Sequence, residues 1–240
     1  MTSHTNPDDR IDAVLFDLDD TLVEYEQDAD DVLAAAFERA GVEPFCTADE
    51  LEAAAEDGPD RDHRTVWVEA FRRAAERAGA DPTAAPDLYE AYGAELDRTQ
   101  VTWRPGARRV LRTARERFPV GIVTNGERAI QERKLARLGL TDAFETVVCA
   151  DDVPEPKPAT DPFDAPLDAL GVPADRALYV GDSYRYDVVG AHRAGLQAAW
   201  WPADDAARAG SRSGPHHVVE TAADLVALLS PGGPETGVSG

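Results

Sequence analysis

Apolar and polar positions follow two rhythms along this chain, and the switches between them outline its organisation. Residues 11–18, IDAVLFDL, form a mostly apolar run of strand length that breaks into the acidic turn Asp19-Asp20-Thr21, which predicts a buried first strand. From about Glu24 to Thr102 the spacing becomes helical. Val32, Leu33, Ala36, Phe37 and Ala40 make one stripe, Val66, Trp67, Ala70, Phe71 and Ala74 make another, and no strand is expected in this stretch. After Trp103-Arg104-Pro105-Gly106, short β-rich runs alternate with helical segments. A helix from Gly106 carries Ala107, Val110, Leu111 and Ala114 on one face. Then follow the strand VGIVTN, the helix ERAIQERKLARLGL ended by Gly139, the strand FETVVCA, a Pro-rich loop and a helix near 161–170. The strand ALYVGD, a helix over about 187–194 ended by Gly195, the strand QAAWW and a last helix with Ala222, Leu225, Val226 and Leu229 aligned complete the series.

Such alternation implies parallel strands joined by helical crossovers, and hence an α/β fold: a Rossmann-like parallel sheet with helices on both faces. The helical stretch interrupts it after the first strand. The expected domains are a core of 11–23 with 103–230 and an all-helical insertion of 24–102. The ends, 1–10 and 231–240, are expected to be disordered, and no internal repeat is found.

Composition narrows the partners. In the 240 residues, 46 acidic side chains against 24 basic ones give a formal charge of −22, a field that repels nucleic acid and anionic membranes. No stretch approaches the roughly 20 apolar residues of a membrane span, and the beginning, MTSHTNPDDR, lacks the basic and apolar regions of a leader, so a cytoplasmic protein is expected. Only Lys134 and Lys157 are lysines; every other cation of the count is arginine. A surface rich in Asp, Glu and Ala and poor in Lys resembles proteins of salt-loving cytoplasms, where salt screens self-repulsion. Cys46 and Cys149 stand far apart, with no zinc-type spacing and no expected disulfide. The five histidines show no ligand spacing, and His216-His217 reads as loop surface.

In an open parallel sheet, ligands bind at the carboxyl ends of the strands, so the polar residues ending each strand converge there. The first strand offers Asp17, Asp19 and Thr21, and the second Thr124, Asn125 and Gly126. The loop after the third offers Lys157, and the fourth strand offers Gly181, Asp182 and, five residues on, Asp187. Each has a bland alternative: a solvated acidic turn, an Asn-Gly turn pair, a helix cap at Asp187 or a decorative lysine. The scarcity of lysine argues against the last, and four strand ends in order argue against all of them together.

The segments Asp17-Leu18-Asp19-Asp20-Thr21, Thr124-Asn125-Gly126, Lys157-Pro158 and Gly181-Asp182 with Asp187 resemble the four motifs of the haloacid dehalogenase (HAD) superfamily, over about residues 11–230. That resemblance implies a phosphatase with a helical cap, acting on a small phosphorylated metabolite with Mg²⁺. It implies Asp17 as the nucleophile that forms an aspartyl-phosphate, and Asp19 as acid and then base. Asp17, Asp182 and the Asp19 carbonyl are implied as metal ligands, and Thr124, Asn125 and Lys157 as phosphoryl partners, helped by the N–H groups of a helix starting near Gly126. Asp187 and Thr21 are implied as supporting residues. An acid at Asp19 favours phosphatase over dehalogenase, because a departing halide needs no proton. The words DLDDTL and TNGERAIQERKLARLGL further resemble a branch of nucleotide, N-acylneuraminate and other small-metabolite phosphatases.

A phosphomutase of the same family remains an alternative, as does a phospho-acceptor or binding protein of the same fold without turnover. A response-regulator receiver also surrounds an aspartate with acids, a Thr and a Lys, but it is shorter and lacks the helical insertion. Substrate choice is expected to lie with Trp67, Phe71, Arg72, Tyr89 or Tyr92 of the insertion, each with a cap-core or surface alternative, and with Glu24 and Tyr25 after the first motif. The sequence does not reveal the oligomeric state.

Overall fold

A computed structural model describes residues 11–56, 63–202 and 215–230. The end segments expected to be disordered lie outside the described residues. The chain divides at Glu24/Tyr25 and at Gln100/Val101 into an α/β unit and a helical unit.

The α/β unit is built on six parallel strands: β1 (Ala13–Phe16), β4 (Val120–Val123), β5 (Thr146–Val148), β6 (Ala177–Gly181), β7 (Gln197–Trp200) and β8 (His217–Val218). Their order is β5-β4-β1-β6-β7-β8. Every residue of β1, β4 and β6 is buried. Central parallel strands are covered on both faces, which is why these read as continuous apolar runs without alternation. The chain steps from β1 out to β5 and then returns to lay β6 on the other side of β1. Val14 therefore faces Val120 on one side and Leu178 on the other. The carboxyl ends of β4, β1 and β6 come side by side at this reversal, where an open sheet forms its crevice.

Helices α5 (Ala107–Arg115), α6 (Arg128–Arg137), α7 (Asp161–Leu170), α8 (Val189–Arg193) and α9 (Ala222–Leu229) belong to the same unit. Thr221 caps α9 by accepting from Asp224 N. The helix expected over 187–194 differs: Tyr184–Val188 forms one wide π turn, and regular helix follows only from Val189. The edge strand β8 was not expected; with two residues it is too short to show a period, and it places His217 in a strand rather than a loop.

The helical unit contains α1 (Ala29–Ala40), α2 (Ala48–Glu56), α3 (His63–Ala78) and α4 (Ala85–Glu95). Asp28 caps α1 by accepting from Asp30 N at 3.0 Å and Asp31 N at 3.1 Å, and Gly41 ends it at φ 66°. Leu33, Phe37, Leu51, Phe71 and Leu88 lead its apolar core. The expectation of no strand between 24 and 102 is corrected at its margins. Val23–Tyr25 (β2) and Val101–Trp103 (β3) pair as a two-stranded sheet where the chain leaves and re-enters the α/β unit. Among the described residues no helix is long and apolar enough to cross a membrane.

Candidate active site

Asp17 follows β1 directly, and its N–H donates to the Val180 carbonyl at 2.9 Å, tying the end of β1 to β6. The chain then turns back, with Leu22 N and Val23 N both donating to the Leu18 carbonyl. Asp20 takes the left-handed conformation, φ 57°, which an aspartate tolerates better than most residues. Arg104 stacks on the Trp201 ring at 4.0 Å and donates to the Asp20 carbonyl at 2.8 Å, holding this loop from outside.

Lys157 reaches into the site from the loop after β5 and is 4% exposed. Its ammonium donates to Asp17 Oδ1 at 2.6 Å, to Asp187 Oδ1 at 2.7 Å and to the Tyr179 hydroxyl at 2.8 Å, so all three of its protons are used. The Tyr179 hydroxyl lies 3.0 Å from both Asp187 Oδ1 and the Val123 carbonyl and can give its one proton to either. Asp187 Oδ2 accepts from Ser183 N at 2.9 Å, and Thr21 Oγ1 donates to Asp182 Oδ1 at 3.0 Å. Gly181 makes this closeness possible: a Cβ there would sit 2.4 Å from the Asp187 carboxylate.

Oxygens of Asp17, Asp182 and Asp187 lie within 4.8 Å of one another, close enough to share one cation. Full ionisation of three carboxylates beside one ammonium would leave two negative charges in a poorly hydrated cluster. Burial pushes Asp17 up to about 7 against the pull of Lys157, with Asp187 and Asp19 adding to the rise. Asp182 is pushed well above the carboxylate range, first by burial and then by Asp187, Asp17 and Asp20. Burial alone would lower Lys157, but Asp17 and Asp187 outweigh it and hold the ammonium above its ordinary range. A cluster that resists full ionisation and presents only oxygen ligands suits a hard divalent cation.

The side chain of Asn125 is engaged within the protein. It donates to the Lys157 carbonyl at 2.9 Å and accepts from Lys157 N at 2.8 Å, so both polar ends clamp the lysine loop. Thr124 Oγ1 accepts from Gly126 N at 3.1 Å and from Gln131 Nε2 at 2.8 Å, which leaves its hydroxyl proton to offer a ligand. The helix expected to start near Gly126 begins at Arg128, whose N–H already donates to Asp151 Oδ1 at 2.9 Å. Within the helical unit, Phe71 is 1% exposed in the apolar core, too buried to touch a substrate. Trp67, Tyr89 and Tyr92 pack against that core, Tyr92 edge-on to Phe71 at 6.3 Å, and Arg72 pairs with Glu69 one turn away.

Three participants escaped the sequence reading. Lys134 donates to Asp19 Oδ1, Gln131 Nε2 donates to Asp19 Oδ2 at 2.7 Å, and Tyr179 joins Lys157 to Asp187. The signal for Lys134 was present, since the scarcity that singled out Lys157 applies to both lysines.

Residues 14–201 match the family model of the haloacid dehalogenase-like hydrolases. The chain is 30% identical over 250 residues to the ribulose-1,5-bisphosphate 5-phosphatase of Halopiger xanaduensis, covering 91% of this chain and 99% of that protein. It is 33% identical over 193 residues to the glyceraldehyde 3-phosphate phosphatase of Methanopyrus kandleri, covering 78% and 82%. The solved structure of the HAD phosphatase from Thermococcus onnurineus superposes with a TM-score of 0.59 at 26% identity, covering 93% of this chain and 99% of that one. Magnesium-bound YfnB from Bacillus subtilis shares the fold with a TM-score of 0.64 at 23% identity, covering 92% and 100%. The chain belongs to the haloacid dehalogenase-like hydrolases. It is an enzyme of the phosphoric monoester hydrolase class.

Proposed function

We propose that the enzyme hydrolyses a small phosphorylated metabolite in two half-reactions at Asp17, beside a bound Mg²⁺. The observation that carries this reading is the Lys157 ammonium 2.6 Å from Asp17, next to carboxylates that lie within 4.8 Å of one another. In the first half-reaction an Asp17 oxygen attacks phosphorus, the bond from phosphorus to the ester oxygen breaks, and Asp19 gives that oxygen a proton. In the second, water attacks the aspartyl-phosphate, Asp19 takes a proton from it, and the bond to Asp17 breaks, releasing phosphate. Lys157 offsets the charge on Asp17 and on the phosphoryl group, while Tyr179 and Asp187 fix its direction. The Thr124 hydroxyl and the main-chain N–H of Asn125 would hold phosphoryl oxygens. Asp17, Asp182 and the Asp19 carbonyl would hold Mg²⁺, which when bound supplies positive charge to the phosphoryl oxygens and the acid cluster.

We assign substrate selection to the helical insertion, acting as a cap, with Trp67, Arg72, Tyr89 and Tyr92 as the side chains to vary. The names of the two relatives support a short phosphorylated sugar as substrate. Phosphate release should therefore be measured from ribulose 1,5-bisphosphate, glyceraldehyde 3-phosphate, phosphoglycolate and p-nitrophenyl phosphate. Activity is expected with Mg²⁺ and none with EDTA. Asp17→Asn should lower it by at least about four orders of magnitude, the scale of losing a nucleophile. An Asp17→Asn enzyme that still turns over would overturn the reading, and phosphate returned to a second hydroxyl instead of water would make it a mutase.

A further inference from the structure

Asp19 projects from the turn after β1, and its carboxylate is held by two side chains of α6 that lie one turn apart. Lys134 Nζ donates to Oδ1, and Gln131 Nε2 donates to Oδ2 at 2.7 Å. Both donors are cut off from water, with Gln131 0% and Lys134 1% exposed. A buried lysine on an amphipathic helix of an acidic, lysine-poor protein is costly and calls for a fixed partner.

Gln131 shows what the arrangement is built for. Its Nε2 also donates to Thr124 Oγ1 at 2.8 Å, so one amide group joins the acid after β1 to the hydroxyl after β4. Its Oε1 is buried with no hydrogen-bond partner among the described residues. A carboxylate can only accept, so the amide must aim its nitrogen at Asp19 and leave its oxygen unsatisfied. A buried unsatisfied acceptor costs stability, and side chains chosen for stability alone avoid it. The backbone yields to the same amide, because a Cβ on Gly126 would lie 1.9 Å from Gln131 Nε2.

We propose that Lys134 and Gln131 are positioning residues that set the orientation of Asp19 for proton transfer to the leaving oxygen. The inference rests on the reading of Asp17 as phosphoryl acceptor and Asp19 as acid. Lys134 and Gln131 touch neither phosphorus nor the leaving group; they act through Asp19. Without them the Asp19 carboxyl samples other rotamers, and the proton reaches the ester oxygen less often.

The test exploits leaving groups. An alkoxide needs a proton to depart, whereas p-nitrophenolate does not. The kcat/KM value covers only the steps through transfer to Asp17, so slow hydrolysis of the intermediate does not enter it. Three variants, Lys134→Met, Gln131→Met and Asp19→Asn, are compared on p-nitrophenyl phosphate and on the best-hydrolysed alkyl ester of the panel above, with Mg²⁺ present. Lys134→Met is expected to lose about 100-fold in kcat/KM on the alkyl ester and about tenfold less than that on the aryl ester, within the range of general acid catalysis. Lys134→Arg should restore part of the alkyl activity. Gln131→Met, which removes no charge from the interior, should give the same pattern at smaller size and serves if Lys134→Met fails to fold. Equal losses on both esters, or no loss, would mean that the two residues only support the fold and would overturn the proposal. If Asp19→Asn itself shows no dependence on the leaving group, the acid reading fails instead of this one.

Discussion

The interior of the helical unit and the rim of the sheet are buried to a similar degree and filled with opposite chemistry. Leu33, Phe37, Leu51, Phe71, Leu88 and a set of alanines fill the first, and no polar or charged side chain is buried among its described residues. The second holds Asp17, Thr21, Thr124, Gln131, Lys134, Lys157 and Asp187, and these seven are all the buried polar or charged side chains among the described residues. Burial of polar groups is unfavourable unless each finds a partner; here Asp17, Lys157 and Asp187 are hydrogen-bonded into one set, and Thr124, Gln131 and Lys134 into a second around Asp19. The seventh, Thr21, is tied to Asp182. In the helical unit burial serves shape; at the rim it strengthens the electrostatic fields among the charged groups gathered there.

The strongest way to break this contrast is Lys157→Met. Removing the ammonium leaves Asp17 and Asp187 facing each other, so kcat/KM for phosphate release should fall at least about a thousandfold, the size of losing a preorganised charge at a reacting group. A loss below tenfold would mean that the rim is a structural ion-pair network. Phe71→Ala sharpens the other side. It should lower unfolding free energy by about 3–5 kcal/mol, read by denaturant titration, while phosphate release per folded molecule changes by less than about threefold. A large drop in turnover with unchanged stability would place function inside the helical core. The smallest expected effect is at Asp28→Ala, where loss of the two cap bonds on α1 should cost about 1 kcal/mol and leave turnover unaltered.

What could be foreseen from the chain follows the same division. β1, β4 and β6 announced themselves as apolar runs, and the order of strands and helices required a parallel sheet. Asp17, Thr124 and Asp182 were then placed by topology alone, because a residue ending a strand has little freedom about where it lies. Lys134 and Gln131 stand one to two turns into α6, among glutamates and arginines that read as a solvated face. The packing of α6 against the turns after β1 and β4 buries them, and that rotation leaves no period in the sequence. Tyr179 is a mid-strand residue that passes for core until its hydroxyl is seen on Lys157. The side chain of Asn125 is taken up by the main chain of Lys157, which a turn pair does not announce, since it does not say which main chain its amide will meet. Phe71 sat on a stripe whose hydrophobic spacing already favoured the interior.

Both lysines of the chain are withdrawn at the rim, at 1% and 4% exposure, each on a carboxylate. The protein therefore shows amine-directed reagents no readily accessible lysine. Acylation of either ε-amino group can proceed only when the rim opens, and the rate at which such a label is taken up becomes a clock for that opening.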